Sequence, residues 1–250
     1  MIESKKKFSF WCAGLVGLLA FWSVASTARH GSGVLEPRRA TPAISVELVK
    51  MASDASLGST TKYRLRVKGV PPGVTFEVWT KDFGQPFALA FSGFRMDETG
   101  TLVTLDKSGQ SRRIEDLALD PGPYPKGAVW MVALASEDHT LSAFAKVIPH
   151  PITARDGSCA VSLELISLHG NRFVASGEGF VPGEDVDIEF RASGRLTQRK
   201  QRISSEGILP LDVLSHGAIS TDFSASYLVK ARTCEPLVKY EWGDAALIRR

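Results

Sequence analysis

The stretch SGEGFVPGEDVDIEF, residues 176–190, decides the fold. A near-copy, VKGVPPGVTFEVWT, lies upstream at residues 67–80. Gly69 of the first copy falls on Gly179 of the second, and the next glycine of each turn keeps the same offset of 110 positions. Each copy reads as the end of one strand, a tight turn of glycine and proline, and a second strand of alternating polarity. The repeat therefore predicts two tandem β modules.

Two further matches extend the repeat over most of each module. ISVELV at 44–49 matches VSLELI at 161–166, with an offset of 117. Near the end of each module the offset falls to 98, where the matched residues are Val129, Met131 and Ala133 with Tyr227, Val229 and Ala231. Loop deletions between retained strands would leave such a falling offset. Two modules of about a hundred residues, each with about seven short strands, predict tandem immunoglobulin-like β-sandwiches.

The composition agrees with an all-β protein. The chain has 250 residues, 44% of them hydrophobic and 23% charged, with 22 glycines and 13 prolines. Abundant glycine and proline around short apolar runs favour β-structure. The predicted strands of the first module are 44–50, 62–68, 74–80, 86–92, 101–106, 128–135 and 142–148. Those of the second are 160–167, 172–177, 185–191, 194–203, 207–213, 226–232 and 237–242.

Residues 1–28 have the composition of a secretory signal peptide. Lysines at 5–7 form a basic start, an apolar run follows at 8–25, and small residues at 26–28 end it. The alternative is an uncleaved anchor, since residues 8–25 are long enough to cross a bilayer. The protein is therefore predicted to be secreted or periplasmic, or anchored to the inner membrane with its body outside the cytoplasm.

The charge argues against nucleic acid as a partner. The whole chain carries +3, and removing residues 1–28 takes away three lysines and one glutamate, which leaves +1. A near-neutral body lacks the concentrated basic footprint that phosphate binding requires. A membrane is expected as a partner only through an uncleaved N-terminal segment.

These segments define a domain plan. It consists of a signal peptide or anchor at 1–28, a flexible linker at 29–43, the first sandwich at 44–148, a linker at 149–158, the second sandwich at 159–243 and a C-terminal tail at 244–250. The proline-rich run at 120–127 is predicted as a rigid surface crossover, because proline cannot donate to a central ladder.

The segment GEGFVPGEDVDI, residues 177–188, resembles the opening of bacterial exported immunoglobulin-like modules, including the IPT/TIG type. In that family a glycine-rich turn precedes a strand. The resemblance implies a sandwich outside the cell with an interaction or spacer role, and it supplies no catalytic residues. The first copy departs from the pattern, because Val74 and Thr75 replace the acidic pair after the turn.

Cleavage after residue 28 would leave two cysteines, Cys159 and Cys234, outside the cytoplasm, where disulfides persist. Cys159 precedes the first predicted strand of the second module, and Cys234 lies in the turn before its last strand. The first strand of an immunoglobulin-like sandwich can run parallel beside the last, which would bring the two cysteines together. A disulfide with a structural role is predicted, and two separate thiols are the alternative.

Asp185, Asp187 and Glu189 project from one face of a predicted strand. Three carboxylates together are candidate ligands for calcium. An ordinary solvated strand face explains the pattern as well, because the residues between them are apolar. A basic cluster follows at Arg195, Arg199, Lys200 and Arg202, and it either pairs with these carboxylates or binds an anionic envelope polymer.

Four apolar side chains of the first module are predicted to face away from its core. The repeat alignment places Trp79, Trp130, Val132 and Leu134 at positions matched mostly by polar residues in the second module. Such a cluster would be a docking surface for another protein or module, or an aromatic platform for sugars. The remaining alternatives are core residues on the other face and a patch covered by the crossover.

No motif predicts catalysis. The chain has no Gly-x-Ser-x-Gly, His-x-x-x-His or Cys-x-x-Cys sequence. We therefore expect a non-enzymatic structural or protein-interaction module of the bacterial cell envelope, without a cofactor. Its partner is expected to be an envelope protein or glycan. The second hypothesis is a carbohydrate-binding module that uses Trp79 and Trp130.

Overall fold

The computed structural model describes residues 40–51, 61–106, 108–217 and 223–249. In these ranges it contains sixteen β-strands and two short 3₁₀ helices, at Ile114–Asp116 and Gly243–Leu247. The all-β prediction is confirmed.

The predicted targeting segment at 1–28, with its anchor alternative at 8–25, lies outside the described residues. Within the described part of the chain, no helix has both the length and the apolar character needed to cross a membrane.

The strands fall into an N-terminal region, β1 to β8, and a C-terminal region, β9 to β16. The N-terminal strands are β1 (Ser45–Lys50), β2 (Tyr63–Lys68), β3 (Phe76–Lys81), β4 (Ala88–Met96), β5 (Leu102–Leu105), β6 (Ser111–Arg113), β7 (Trp130–Ser136) and β8 (Ser142–Val147). The C-terminal strands are β9 (Ile152–Asp156), β10 (Cys159–Leu165), β11 (Arg172–Glu178), β12 (Asp185–Ala192), β13 (Arg195–Arg202), β14 (Leu209–Ser215), β15 (Ser224–Lys230) and β16 (Leu237–Glu241).

Each region packs two sheets against each other. In the N-terminal region the sheet β1-β2 packs on the sheet β6-β5-β4-β3-β7-β8, and the rings of Tyr63 and Trp130 meet between them at 5.9 Å. In the C-terminal region the sheet β14-β11-β10-β9 packs on β13-β12-β15-β16, and the rings of Phe173 and Tyr240 meet at 4.8 Å. The result is a sandwich-like arrangement in both regions.

The two regions share part of their strand order. The series β4-β3-β7-β8 matches β13-β12-β15-β16, and the pair β2-β1 matches β11-β10. They differ beyond this shared part, because β5 and β6 extend the larger N-terminal sheet whereas β14 pairs with β11. In the N-terminal region Leu119 forms a single bridge to Tyr63 at the corresponding edge of β2.

The repeated glycine turn has a steric cause. Gly69 and Gly179 have φ angles of +76° and +80°, in the left-handed region that favours glycine. A Cβ atom at either position would overlap a backbone carbonyl oxygen, that of Ala43 in one case and that of Ser158 in the other. The same close approach at the start of β1 and β10 explains why the turn sequence occurs twice.

The strand pairing corrects the repeat alignment near β7. Val78 pairs with Leu134, and Ile188, which falls on Val78, pairs with Val229. Leu134 therefore corresponds to Val229, with an offset of 95 (229 − 134) instead of the predicted 98. Because side chains alternate along a strand, an error of three positions reverses the assignment of its two faces.

The predicted apolar surface of the first module is consequently wrong. Trp130, Val132 and Leu134 lie in the main hydrophobic core, with exposed fractions of 2%, 0% and 0%. Trp79 does lie on the opposite face of the sheet, as predicted, but only 8% of it is exposed.

The segments predicted as linker and tail are ordered parts of the fold. Part of the predicted linker at 149–158 forms β9, which pairs with β10. The predicted tail at 244–250 begins in a 3₁₀ helix, and its Arg249 forms an antiparallel bridge to Pro125. Within the run at 120–127, Tyr124, Pro125 and Gly127 are buried while Asp120, Pro123 and Lys126 are exposed, so the predicted surface crossover is only partly at the surface.

Candidate functional site

The acidic face of β12 is neutralised by the neighbouring strands. Glu189 accepts hydrogen bonds from the Lys230 ammonium at 2.7 Å and the Gln198 amide at 3.0 Å. These bonds, that from Lys230 above all, lower the pKa of the Glu189 carboxyl. Asp185 lies 3.8 Å from Arg202. These basic partners support the paired strand face as the simpler explanation of Asp185, Asp187 and Glu189.

The predicted basic cluster lies on β13, an edge strand. Arg199 forms an ion pair with Asp212 of β14 in the opposing sheet, and Lys200 lies opposite Asp187 in the strand register. Asp212 is 5% exposed and also accepts a 3.0 Å hydrogen bond from the Tyr227 hydroxyl. Burial raises the pKa of Tyr227 to about 12, so this hydroxyl remains a donor at neutral pH. Arg199 and Asp212 thus close one open side of the sandwich.

Trp79 is covered by a small cluster on the outer face of the six-stranded sheet. Phe87 and Phe144 pack beside it, with their ring centroids 5.9 Å apart. The His139 ring contacts Trp79 edge-on at 5.6 Å. The Trp79 indole donates a 3.0 Å hydrogen bond to Glu77, which is 2% exposed. These contacts leave no open aromatic platform for a sugar at Trp79.

The structure contains the predicted disulfide between Cys159 and Cys234, with 6.3 Å between the two Cα atoms. Cys159 begins β10 and Cys234 precedes β16, and contrary to expectation these two strands do not pair with each other. β10 and β16 belong to opposing sheets, so the disulfide joins one sheet of the C-terminal region to the other. Both cysteines are buried.

A buried histidine lies between the C-terminal sheets. His216 is 7% exposed and stacks on Trp242 with 4.7 Å between the ring centroids. Its Nε2 atom and the Tyr240 hydroxyl share a 3.1 Å hydrogen bond, while its Nδ1 atom has no partner among the described residues. Burial lowers the pKa of His216 to about 4, so it is neutral at physiological pH.

The two regions meet through backbone hydrogen bonds. Gly127 donates to the His150 carbonyl at 2.8 Å and accepts from the Leu165 amide at 2.8 Å. Gly127 has φ +75°, and a Cβ atom there would lie 2.9 Å from the Ile152 side chain and 3.2 Å from the Leu163 carbonyl oxygen. Together with the Pro125 bridge described above, these contacts make a junction in which the positive φ and the tight surroundings disfavour residues larger than glycine at position 127.

An open cleft of about 750 Å³ lies beside this junction. Lys126 lines it from the N-terminal region. The remaining lining residues come from Pro151 and β9, the end of β12 with the β12–β13 turn, β15, β16, and the 3₁₀ helix at Gly243–Leu247 with the following Ile248. The cleft is the candidate ligand site because it brings three cationic side chains, Lys126, Arg191 and Lys239, around one cavity.

The cleft has no recognisable signature in the amino-acid sequence. Its residues come from separate segments between Lys126 and Ile248, and no local spacing relates them. Part of the wall is Ile152 and Thr153, in the segment that was predicted as a linker. The predicted surface residues Trp79, Trp130, Val132 and Leu134 do not line the cleft.

No protein-family model and no curated protein sequence matches the chain. A crystal structure of a tetra-tandem repeat in the extending region of a large adhesion protein is similar over 80% of this chain and 49% of that one, with 15% identity and a TM-score of 0.24. A structure concerned with the host cell surface retention of a 1.5-MDa bacterial ice-binding adhesin is similar over 81% of this chain and 65% of that one, with 8% identity and a TM-score of 0.22. The chain spans less than two thirds of either structure.

Proposed function

We propose that the chain is an exported, non-enzymatic structural module of the bacterial cell envelope, built from two tandem immunoglobulin-like sandwiches. The observation that carries the proposal is the junction between the two regions. A structural module has to keep its two sandwiches at a fixed distance and orientation. A flexible linker between them would not do so.

The contacts of Gly127 give the junction its stiffness. Its two backbone hydrogen bonds, both of 2.8 Å, connect the N-terminal region to the segment before β9 and to the end of β10. A Cβ atom at position 127 would lie 3.2 Å from the Leu163 carbonyl oxygen, so the two backbones approach closely here. Lys146 and Glu164 add an exposed ion pair across the junction at 3.9 Å, which contributes little by itself.

Two observations support export. The basic start and apolar run of residues 1–28 are typical of a signal peptide. The disulfide between Cys159 and Cys234 is buried in the C-terminal region, and structural disulfides persist mainly outside the cytoplasm. The carbohydrate-binding hypothesis based on Trp79 and Trp130 loses its basis, because both indoles are buried.

The proposal is tested by making the junction flexible while both regions stay folded. A strain lacking the protein is complemented with the native chain or with a variant carrying a short Gly-Ser insertion after Pro149. A matched control carries the same insertion after Ser108, in the exposed β5–β6 turn. We expect small-angle scattering to show a broader shape distribution for the junction variant alone, and envelope integrity to fail with it. Full complementation by a demonstrably flexible variant would contradict a structural role.

A further inference from the structure

The junction cleft has an excess of positive charge. Lys126 and Lys239 are exposed and have no ion-pair partner among the described residues. Arg191 lies 3.8 Å from Glu189, but that carboxylate is held more closely by Lys230, at 2.7 Å. Glu241 is the acidic residue of the lining, so three cations face one carboxylate. The cleft therefore attracts anionic groups.

The rest of the lining is suited to a polyhydroxylated ligand. Hydroxyl groups come from Thr153, Ser193 and Ser226, on three different segments. The lining also includes the small apolar side chains of Ala192 and Ala246 and the exposed apolar side chain of Ile248. Hydroxyls around such a surface can bind sugar hydroxyls while the carbon face of the sugar ring packs below.

The shape of the cavity favours a chain segment over a small metabolite. Its volume of about 750 Å³ is within the range of ligand sites, yet it is open to solvent and does not enclose its contents. Single-stranded nucleic acid is disfavoured because its binding sites typically stack the bases on exposed aromatic rings. Tyr240 is the aromatic residue of the lining, and it is only 6% exposed.

We propose that the junction cleft binds a segment of an acidic polysaccharide, whose sugar carboxylates pair with Lys126, Arg191 and Lys239. This binding activity goes beyond the structural role, and both use the junction between the two regions. Because Lys126 belongs to the N-terminal region and the other two cations to the C-terminal region, the site is complete only when the junction is closed.

The test uses the full chain with its disulfide intact and an oligogalacturonate as the probe. Titration calorimetry at low and at physiological ionic strength should show binding that weakens with salt. The double variant Lys126→Glu/Lys239→Glu should bind at least about tenfold more weakly, since each change replaces attraction by repulsion. The control Lys50→Glu makes one such change at the exposed end of β1, outside the cleft, and should bind within about twofold of the native chain.

Two further probes decide the class of ligand. The carboxyl-reduced, neutral form of the same oligosaccharide should not bind detectably. Equal binding of that neutral form, native affinity in the double variant, or no binding of oligogalacturonate would overturn the proposal. Tighter binding of polyglutamate would also overturn it, because an acidic peptide would then be the better ligand. Unchanged melting temperatures show that the variants remain folded.

Discussion

The N-terminal and C-terminal regions stabilise the same corner of their sandwiches with different interactions. This corner is where the segment before the first repeated strand meets the hairpin of the last two strands. In the N-terminal region the Ser142 amide donates a 3.1 Å hydrogen bond to the Thr41 hydroxyl. In the C-terminal region the Glu235 amide donates a 2.6 Å hydrogen bond to the Asp156 carboxylate. Each bond joins the segment before the first repeated strand, β1 or β10, to the hairpin of the last two strands, and only the C-terminal region adds a disulfide there.

The comparison shows that one geometry can be closed by different chemistry. Ser45 pairs with Lys68 as Ala160 pairs with Glu178, so the two first strands correspond with an offset of 115 (160 − 45). By that offset Ile44, which is 6% exposed, takes the place of Cys159. The N-terminal corner is held by apolar packing and neutral hydrogen bonds, and its stability should not depend on the redox state.

Removing the disulfide should have the largest effect. The bond closes a loop of 75 residues, so Cys159→Ser/Cys234→Ser should lower the free energy of unfolding by about 4–5 kcal/mol on the loop-entropy model. Hydrogen exchange read by mass spectrometry should show lost protection in β10 to β16, with β1 to β8 much less affected. An equal loss in both regions would mean that the corner contacts do not act separately.

The second largest effect should come from acid, which should lower the stability of the C-terminal region. His216 has an ordinary pKa of 6.5, which burial lowers to about 4 in the folded state. Between these values the unfolded chain binds the proton and the folded chain does not, so stability falls as the pH drops from about 6.5 to about 4. The free energy of unfolding should fall by about 3 kcal/mol in total, because each unit of pKa difference corresponds to about 1.4 kcal/mol.

His216→Gln separates this effect from other titrations. The amide keeps a hydrogen-bonding group near Tyr240 but does not titrate in this range. Thermal unfolding at several pH values should therefore show a flatter profile for the variant than for the native chain. The same pH dependence in both proteins would assign the effect to another group.

The smallest change tests whether the two corners are equivalent. Thr41→Ala and Asp156→Ala each remove one side-chain acceptor from a backbone amide, and each should lower the free energy of unfolding by about 1 kcal/mol. Thr41→Ser retains the hydroxyl and serves as the control. Chemical denaturation measures all three, and a loss confined to one corner would show that the correspondence is only geometric.

Much of the fold could be predicted because the repeated sequence contains glycines that the backbone geometry of the turn requires. At Gly69 and Gly179 a Cβ atom would overlap a backbone carbonyl oxygen, so glycine is needed at both positions. The two glycines therefore align correctly in the repeat. The predicted offset of 117 for the first strands was wrong by two positions, which left their faces correctly assigned because the strand period is two. The predicted offset for β7 was wrong by three, and an odd error inverts the faces of the whole strand.

The rest could not be predicted because it depends on tertiary contacts. Ile152 to Asp156 is short and lies between a proline and a glycine, so its sequence resembles a linker until β10 provides a partner. The cleft has no sequence pattern, because its residues share a location but no spacing. Trp79 shows a third limit, since a residue on the outer face of a sheet can still be buried by neighbours such as Phe87 and Phe144.

The positive charge of the edge strand β13 affects how copies of the molecule can associate with one another. An edge strand offers unpaired backbone groups to any other strand, and this is a common route to fibres. β13 carries RLTQRKQR, and seven of its eight residues are exposed. Two such edges brought together would place like charges opposite each other at several positions. The charges on this strand should therefore disfavour pairing between copies along that edge.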